Sequence, residues 1–208
     1  MTRREFVWTA SAASAARGTP AQLAVPVHRV MDLHPQCSRD DVQQFWWNTW
    51  PEAARTFGRG GIDLQTSDGP GEVRHTAGDR PIFSGLRQGV INLILTGHIP
   101  MHWDRARALP GVTTIYDGYH LCVIALRFAH GNQVPFFSVN TCVHELLHAL
   151  LQDVYLNRPG WYRGGQREAR TDWYATRLWL FHDGRAIRAS GREYLTRIRA
   201  DAAARLHS

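Results

Sequence analysis

The chain has 208 residues, of which 44% are hydrophobic, so its length and composition favour a single globular domain with a substantial core. No apolar run approaches the roughly 18–20 residues of a membrane-spanning helix, and the sequence therefore predicts no membrane span. The formal net charge is +6, but every basic residue is an arginine and the arginines are spread along the chain, which argues against a nucleic-acid-binding protein.

Residues 1–30 are predicted to be a targeting or disordered segment outside the fold. Arg3 and Arg4 precede Phe6 and a stretch of small residues, an arrangement that resembles the twin-arginine export signal. This resemblance implies a periplasmic or secreted protein. The alternatives are a cytoplasmic protein with a disordered basic tail, or a true start at Met31.

The first predicted helix begins near Arg39, because Ser38 and Asp41 have the spacing of an N-terminal capping box. Pro51 is expected to kink or restart this helix, and the glycine-rich segment 58–61 is expected to end it. The aromatic cluster of residues 45–50 is interpreted as core packing.

A group of strands is predicted next. Residues 62–67 and 72–76 flank Asp-Gly-Pro-Gly, which indicates a turn between two strands. The continuously apolar run at 89–97 predicts a central strand. Residues 112–128, with Asp-Gly at 117 and 118, predict a hairpin, and the short segment 133–137 contains a proline and suits an edge strand.

Three helices complete the predicted fold, over residues 139–151, from about Arg167 to Phe181, and from about Arg192 to Leu206. The predicted fold class is α+β, with a small mixed sheet lobe before a helical C-terminal lobe. Three cysteines, Cys37, Cys122 and Cys142, are too few for a disulfide framework. They are interpreted either as buried thiols or as one bridge between Cys122 and Cys142.

The helix "VNTCVHELLHALLQD" at residues 139–153 carries two histidines and a glutamate among its leucines. His144 and His148 lie one turn apart, away from the apolar side that faces the sheet, and can both reach one metal ion. Glu145 points to a neighbouring side, where it can serve as a general base. Burying these groups among leucines is costly unless a partner such as a metal ion satisfies them.

A catalytic zinc site needs a third protein ligand and leaves one position for water. The metzincin pattern requires a glycine and a histidine where this chain has Leu151 and Val154. The later segment "REARTDWYA" instead offers Glu168 and Asp172, four residues apart on one helical face. Either of these carboxylates could be the third ligand.

The pair of motifs, His144-Glu145-x-x-His148 followed by Glu168-x-x-x-Asp172, resembles the gluzincin clan of zinc metallopeptidases, of which thermolysin is an example. The resemblance covers only about residues 139–175 of the chain. It implies that His144, His148 and Glu168 bind zinc, that Glu145 is the catalytic base, and that Asp172 orients His144 through the other ring nitrogen.

The resemblance implies a single zincin-like catalytic domain over residues 31–208. Its sheet lobe and active-site helix occupy 31–154, and its helical lobe occupies 155–208. The expected function is hydrolysis of peptide bonds in a peptide or protein substrate by metal-activated water. The alternative is a zinc-stabilised binding protein without turnover. The sequence does not indicate an oligomeric state.

Overall fold

The computed structural model describes residues 22–33, 37–76, 81–97, 110–126, 139–153 and 164–206. The strands are β1 (Leu23–Asp32), β2 (Ile62–His75), β3 (Pro81–Ser84), β4 (Ile91–Thr96), β5 (Gly111–Tyr116) and β6 (Tyr119–Ala125). The helices are α1 (Arg39–Gln44), α2 (Trp50–Arg59), α3 (Val139–Leu150), α4 (Gly164–Phe181) and α5 (Arg185–Arg205), with a π-helical turn at Phe45–Thr49.

The six strands form one mixed sheet in the order β3-β2-β1-β4-β6-β5. The four middle strands are parallel, and β3 and β5 pair antiparallel at the two edges. All six residues of β4 are buried, as is usual for a parallel strand covered on both faces, so the predicted central strand is confirmed. The predicted hairpin β5-β6 is also confirmed, and Asp117 and Gly118 at its turn both have positive φ.

Strand β1 corrects the predicted limits of the domain. Residues before about 30 were expected to lie outside the fold, but residues 23–32 form a strand between β2 and β4. Pro26 obscures this strand in the sequence because proline is rare within sheets. It is tolerated here, since pairing with β4 begins only at Val27. A chain that began at Met31 would lose most of this central strand.

The predicted turn at Asp-Gly-Pro-Gly is wrong, because β2 runs without interruption from Ile62 to His75. Its pairing with β1 passes from His28 opposite Ser67 to Val30 opposite Gly71, so the turn-forming residues sit in a bulge of one long strand. Because β1 precedes α1 in the chain, the sheet begins before the first helix. The segment predicted as an edge strand, 133–137, lies outside the described residues.

The main core lies between the sheet and the helices. Alternate residues of β1, β2, β4 and β6 face this core, where they meet apolar side chains of α2, α3, α4 and α5. Helix α3 contacts α2, α4, α5, β5 and β6, so it occupies a central place among the elements. A smaller apolar cluster lies on the opposite face of the sheet. The mixed sheet and its helices agree with the predicted α+β class.

The helix boundaries follow the predicted signals in part. The amide of Asp41 donates to Oγ of Ser38, which confirms the predicted cap, and the helix restarts at Trp50 next to Pro51. Helix α5 begins at Arg185, earlier than the predicted Arg192. The helix runs through Gly191, where an added Cβ would lie 2.7 Å from the side chain of Leu23.

Two further expectations concern the cysteines and the membrane. Cys37, Cys122 and Cys142 are free thiols in the structure, so the alternative of a bridge between Cys122 and Cys142 is not observed. Among the described residues, no helix combines the length and the apolar character needed to cross a membrane.

Candidate metal centre

Helix α3 carries the two histidines of the predicted centre. His144 and His148 lie one turn apart, and their rings meet edge to face with centroids 4.6 Å apart. The two Nε2 atoms are separated by 2.9 Å. His148 is buried, whereas His144 borders solvent. This pairing follows directly from the helical spacing, since residues four apart are neighbours on a helix surface.

Helix α4 brings Glu168 to the same point. Its Oε2 atom lies 2.9 Å from Nε2 of His144 and 3.4 Å from Nε2 of His148. Among the described residues, His144, His148 and Glu168 form a group whose ligand atoms lie within 4.8 Å of one another and which could hold a metal ion. The three side chains predicted as ligands are therefore brought together by the packing of α4 on α3.

Asp172 lies one turn further along α4, at the opposite nitrogen of the first histidine. Its Oδ1 atom lies 3.0 Å from Nδ1 of His144, on the side of the ring away from His148 and Glu168. Asp172 thus occupies the position expected of an orienting carboxylate. This geometry favours Glu168 over Asp172 as the third ligand.

The ring nitrogens show how this arrangement could hold a cation. Nδ1 of His144 faces the carboxylate of Asp172, and Nδ1 of His148 faces Oδ2 of Asp153 at 3.0 Å. In the neutral rings the protons belong on these Nδ1 atoms, where they are donated to carboxylates. Both Nε2 lone pairs then converge on each other and on the carboxylate of Glu168, without a donor between them. A bound cation would satisfy all three acceptors at once.

The separations of the donor atoms also suit a small divalent ion. An ion that binds ligands tetrahedrally at about 2.0–2.1 Å holds them roughly 3.3 Å apart. The three observed separations are 2.9, 2.9 and 3.4 Å. Two imidazole nitrogens and one carboxylate oxygen are therefore placed for shared coordination, and they fit the ion that the motifs imply.

Asp153 is a part of the centre that the sequence did not predict. It lies just beyond the end of α3 and is fully buried. Gln152 before it has φ of 62°, and this left-handed residue ends the helix. Asp153 receives further hydrogen bonds from Thr171 at 3.2 Å and from Arg170 at 3.0 Å, both on α4. Its contact with His148, five residues earlier, depends on the conformation of Gln152, which has no recognisable sequence motif.

These partners shift the proton equilibrium of His148. Burial lowers the pKa of this imidazole, but the hydrogen bond to Asp153 and the nearby carboxylates of Glu145 and Glu168 raise it, and the net change is upward. The same carboxylates that favour a proton on His148 also favour a metal cation beside it. The electrostatic field of the centre is therefore suited to binding positive charge.

Glu145 lies on α3 next to the first histidine, and its side chain is directed toward strand β5. Its exposed fraction is 6%. Thr113 Oγ1 lies 2.7 Å from Oε2 of Glu145 and 2.8 Å from its carbonyl oxygen. Burial raises the pKa of this carboxyl group, while the hydrogen bond from Thr113 and the two histidines oppose the increase. A carboxylate with a raised pKa is suited to accept and return a proton.

Strand β5 leaves room for this carboxyl group through a glycine. A Cβ at Gly111 would lie 2.7 Å from Oε1 of Glu145, closer than unbonded atoms allow. Two buried thiols, Cys122 and Cys142, lie near the same carboxylate, and burial raises the pKa of each thiol, with a further increase from the charge of Glu145. These thiols are therefore neutral, and Thr113 is the hydrogen-bond donor that supports Glu145.

The three elements enclose a cleft of about 730 Å³ above the centre. One wall is formed by β5, the floor by α3 and the other wall by α4. Its lining residues are Pro110, Gly111, Val112, Thr113, Asn140, Thr141, His144, Glu145, His148, Arg167, Glu168, Asp172, Ala175, Thr176, Trp179 and Leu180. A cleft of this size accommodates a small ligand or several residues of a peptide.

Comparison of the chain with protein-family models, with curated proteins and with solved structures returns no match. Three features of the structure support a metal centre: two imidazoles and a carboxylate converge, a further carboxylate lies behind each imidazole, and a cleft contains them.

Proposed function

We propose that this protein is a zinc-dependent peptidase. The observation that carries the proposal is the meeting of His144, His148 and Glu168 in a cleft that also contains the buried carboxylate of Glu145. Three protein ligands and an adjacent general base are the components of a hydrolytic zinc site. A purely structural zinc site is normally closed by a fourth protein ligand, and the described residues contribute three.

Zinc is the proposed metal because of the donor set. Neutral imidazole and carboxylate are common zinc ligands, whereas magnesium and calcium prefer oxygen ligands alone. Each imidazole also donates its other N–H to a carboxylate, Asp172 for His144 and Asp153 for His148. Such carboxylate partners increase the basicity of ligating histidines and hold their rings in place.

Zinc bound at this centre would supply a Lewis acid that lowers the pKa of a coordinated water and polarises the carbonyl of the peptide bond. Glu145 performs the proton transfers. Its carboxylate accepts a proton as water attacks the carbonyl carbon, and it returns this proton to the nitrogen of the leaving amine when the C–N bond breaks. Thr113 holds the carboxylate through Oε2 during both transfers.

Strand β5 supports a peptide as the substrate. Among the described residues it pairs only with β6, so its outer edge has backbone groups available for pairing. Residues 110–113 at the start of this strand line the cleft beside Glu145. An extended peptide could add to this edge through backbone hydrogen bonds, with its scissile bond next to the centre.

The proposed peptidase is of the gluzincin type, because Glu168 and Asp172 lie one turn apart on α4 and face opposite nitrogens of His144. The proposal also includes export by a twin-arginine-like signal. That part rests only on Arg3, Arg4 and Phe6 in the sequence.

The decisive experiment is Glu145→Gln in the full chain, assayed for zinc content and for cleavage of a mixed peptide library. We expect one zinc ion per chain in both proteins, and loss of cleavage in the variant alone. Cleavage by the variant at the wild-type rate would exclude Glu145 as the base. One zinc ion per chain without cleavage in the wild type would favour the alternative, a zinc-stabilised binding protein.

A further inference from the structure

A second cleft, which we call the basic cleft, lies where three helix ends meet. The end of α2, the end of α4 and the start of α5 enclose about 580 Å³. Its lining residues are Arg59, Arg177, Phe181, His182, Asp183, Gly184, Arg185 and Arg188. None of them belongs to the cleft above the candidate metal centre.

The basic cleft is held together by a close backbone contact. A Cβ on Gly184 would collide with the carbonyl group of Gly60, so the two segments approach this closely because residue 184 is a glycine. Arg188 donates to the carbonyl oxygen of Gly60 and ties α5 to the end of α2. Backbone packing therefore fixes the end of α2 against the start of α5.

The charges in the basic cleft are unbalanced. Four arginines and one carboxylate line it, and that carboxylate, Asp183, accepts hydrogen bonds from the side chain of Arg177 and from both the amide and the side chain of Arg185. These contacts lower the pKa of Asp183 to about 2. Arg59 and Arg188 form no ion pair with any carboxylate of the described chain. Two cations in one concavity therefore lack a counter-charge.

The start of α5 adds to this positive field. Gly184 precedes the first turn of this 21-residue helix and has no side chain that could cap it. The carboxylate of Asp183 accepts a hydrogen bond from the first amide of the helix, that of Arg185, at 3.2 Å. The N-terminal end of a helix carries partial positive charge and attracts anions. Combined with the guanidinium groups of Arg59 and Arg188, it offers more donors than the two oxygens of a carboxylate can accept.

We infer that the basic cleft binds the phosphate group of a small phosphorylated organic molecule. A phosphate group presents several oxygens and carries up to two negative charges, which matches Arg59, Arg188 and the start of α5. The cleft is far larger than a single phosphate ion. Phe181, whose exposed fraction is 69%, lies at its border and provides an apolar surface for the organic part of the ligand.

The test measures binding of inorganic phosphate and of phenyl phosphate to the full chain by titration calorimetry, at constant ionic strength maintained with chloride. We expect saturable binding of both at one site, with phenyl phosphate bound more tightly. Arg59→Gln should weaken both by about tenfold, because a charge-assisted hydrogen bond is lost. Phe181→Ala should reduce only the preference for phenyl phosphate.

Arg55→Gln is the matched control, since Arg55 lies one turn earlier on α2, pairs with Glu52 and does not line the cleft. It should change each affinity by less than about twofold. Equal weakening by Arg55→Gln and Arg59→Gln would mean that phosphate binding responds only to the net charge of the protein. An unchanged affinity in Arg59→Gln would place phosphate elsewhere, for example at the metal centre. Either result, or the absence of saturable binding, overturns the inference, and equal affinities for the two probes overturn the role of Phe181.

Discussion

Oδ2 of the fully buried Asp153 lies 3.0 Å from Nδ1 of His148, and this carboxylate is held in turn by Arg170 and Thr171. On the side of His148, the candidate centre is therefore supported by a buried carboxylate that has three hydrogen-bond partners. The equivalent carboxylate on the other side, Asp172, is exposed, and among the described residues its side chain forms a hydrogen bond with His144 alone. The two histidines are chemically alike but are supported to different degrees.

This difference predicts unequal effects of two matched substitutions. Asp153→Asn should lower the affinity for zinc by about 10–100-fold, because the amide cannot fully replace the charged acceptor of the His148 proton. Asp172→Asn should cause a smaller loss, since solvent screens that pair. Competition with a chelator of known affinity measures both. An equal or larger loss in Asp172→Asn would contradict the assigned importance of the buried partner.

The third ligand can be tested through the effect of metal on stability. Zinc at about one hundred times its Kd should raise the free energy of unfolding by about 2.7 kcal/mol in the wild type, because it binds the folded state. Glu168→Gln should lose most of this increase. Glu52→Gln, which alters a surface pair on α2, should retain it. Denaturant unfolding with zinc and with chelator provides the measurement, and full stabilisation of Glu168→Gln would remove Glu168 from the ligand set.

The substitution Gly111→Ala tests the role of Glu145 without removing any ionisable group. Gly111→Ala should displace the carboxyl group of Glu145, whose Oε1 would lie 2.7 Å from the new Cβ. We expect peptide cleavage to fall at least about tenfold while zinc content stays unchanged, because general base catalysis contributes about 10²–10⁴-fold. Gly58→Ala is the control, since open space surrounds its Cβ position in α2. Its activity should be normal and its stability equal or slightly higher.

The lowered pKa of His120 predicts how the stability of the protein depends on pH. Burial lowers the pKa of this imidazole from 6.5 to about 4 in the folded protein, where Nδ1 lies 2.9 Å from the hydroxyl group of Tyr194. Between about pH 6.5 and 4 the unfolded chain binds a proton at this residue that the folded chain does not, so stability decreases as the pH falls through this window.

His120→Gln should flatten this decrease by an amount on the order of 2 kcal/mol between pH 7 and 4.5. Urea unfolding of both proteins at the two pH values tests this, with chelator present so that metal release does not contribute. Identical losses of stability in the two proteins would show that another group is responsible.

The sequence predicted several elements whose signals are local. The cap at Ser38, the turn at Asp117-Gly118 and the buried strand at 91–96 each depend on neighbouring residues, and all three are confirmed. Strand β1 was missed because its support is not local. It is stabilised by pairing with residues 62–73 and 91–95, and Pro26 within it favours another interpretation.

In the candidate centre, too, local patterns predicted some relationships between residues, and the tertiary structure decided the others. Helical spacing alone made His144 and His148 neighbours and placed Glu168 and Asp172 on one face of a later helix. Only the tertiary structure decided the rest. The packing of α4 on α3 brought Glu168 within 2.9 Å of His144, the conformation of Gln152 placed Asp153 behind His148, and the packing of β5 on α3 set Gly111 and Thr113 against Glu145. Periodicity determines which side chains share a face, because it is a property of adjacent turns. Which faces meet is decided by burial of apolar surface across the whole chain, and no local pattern encodes it.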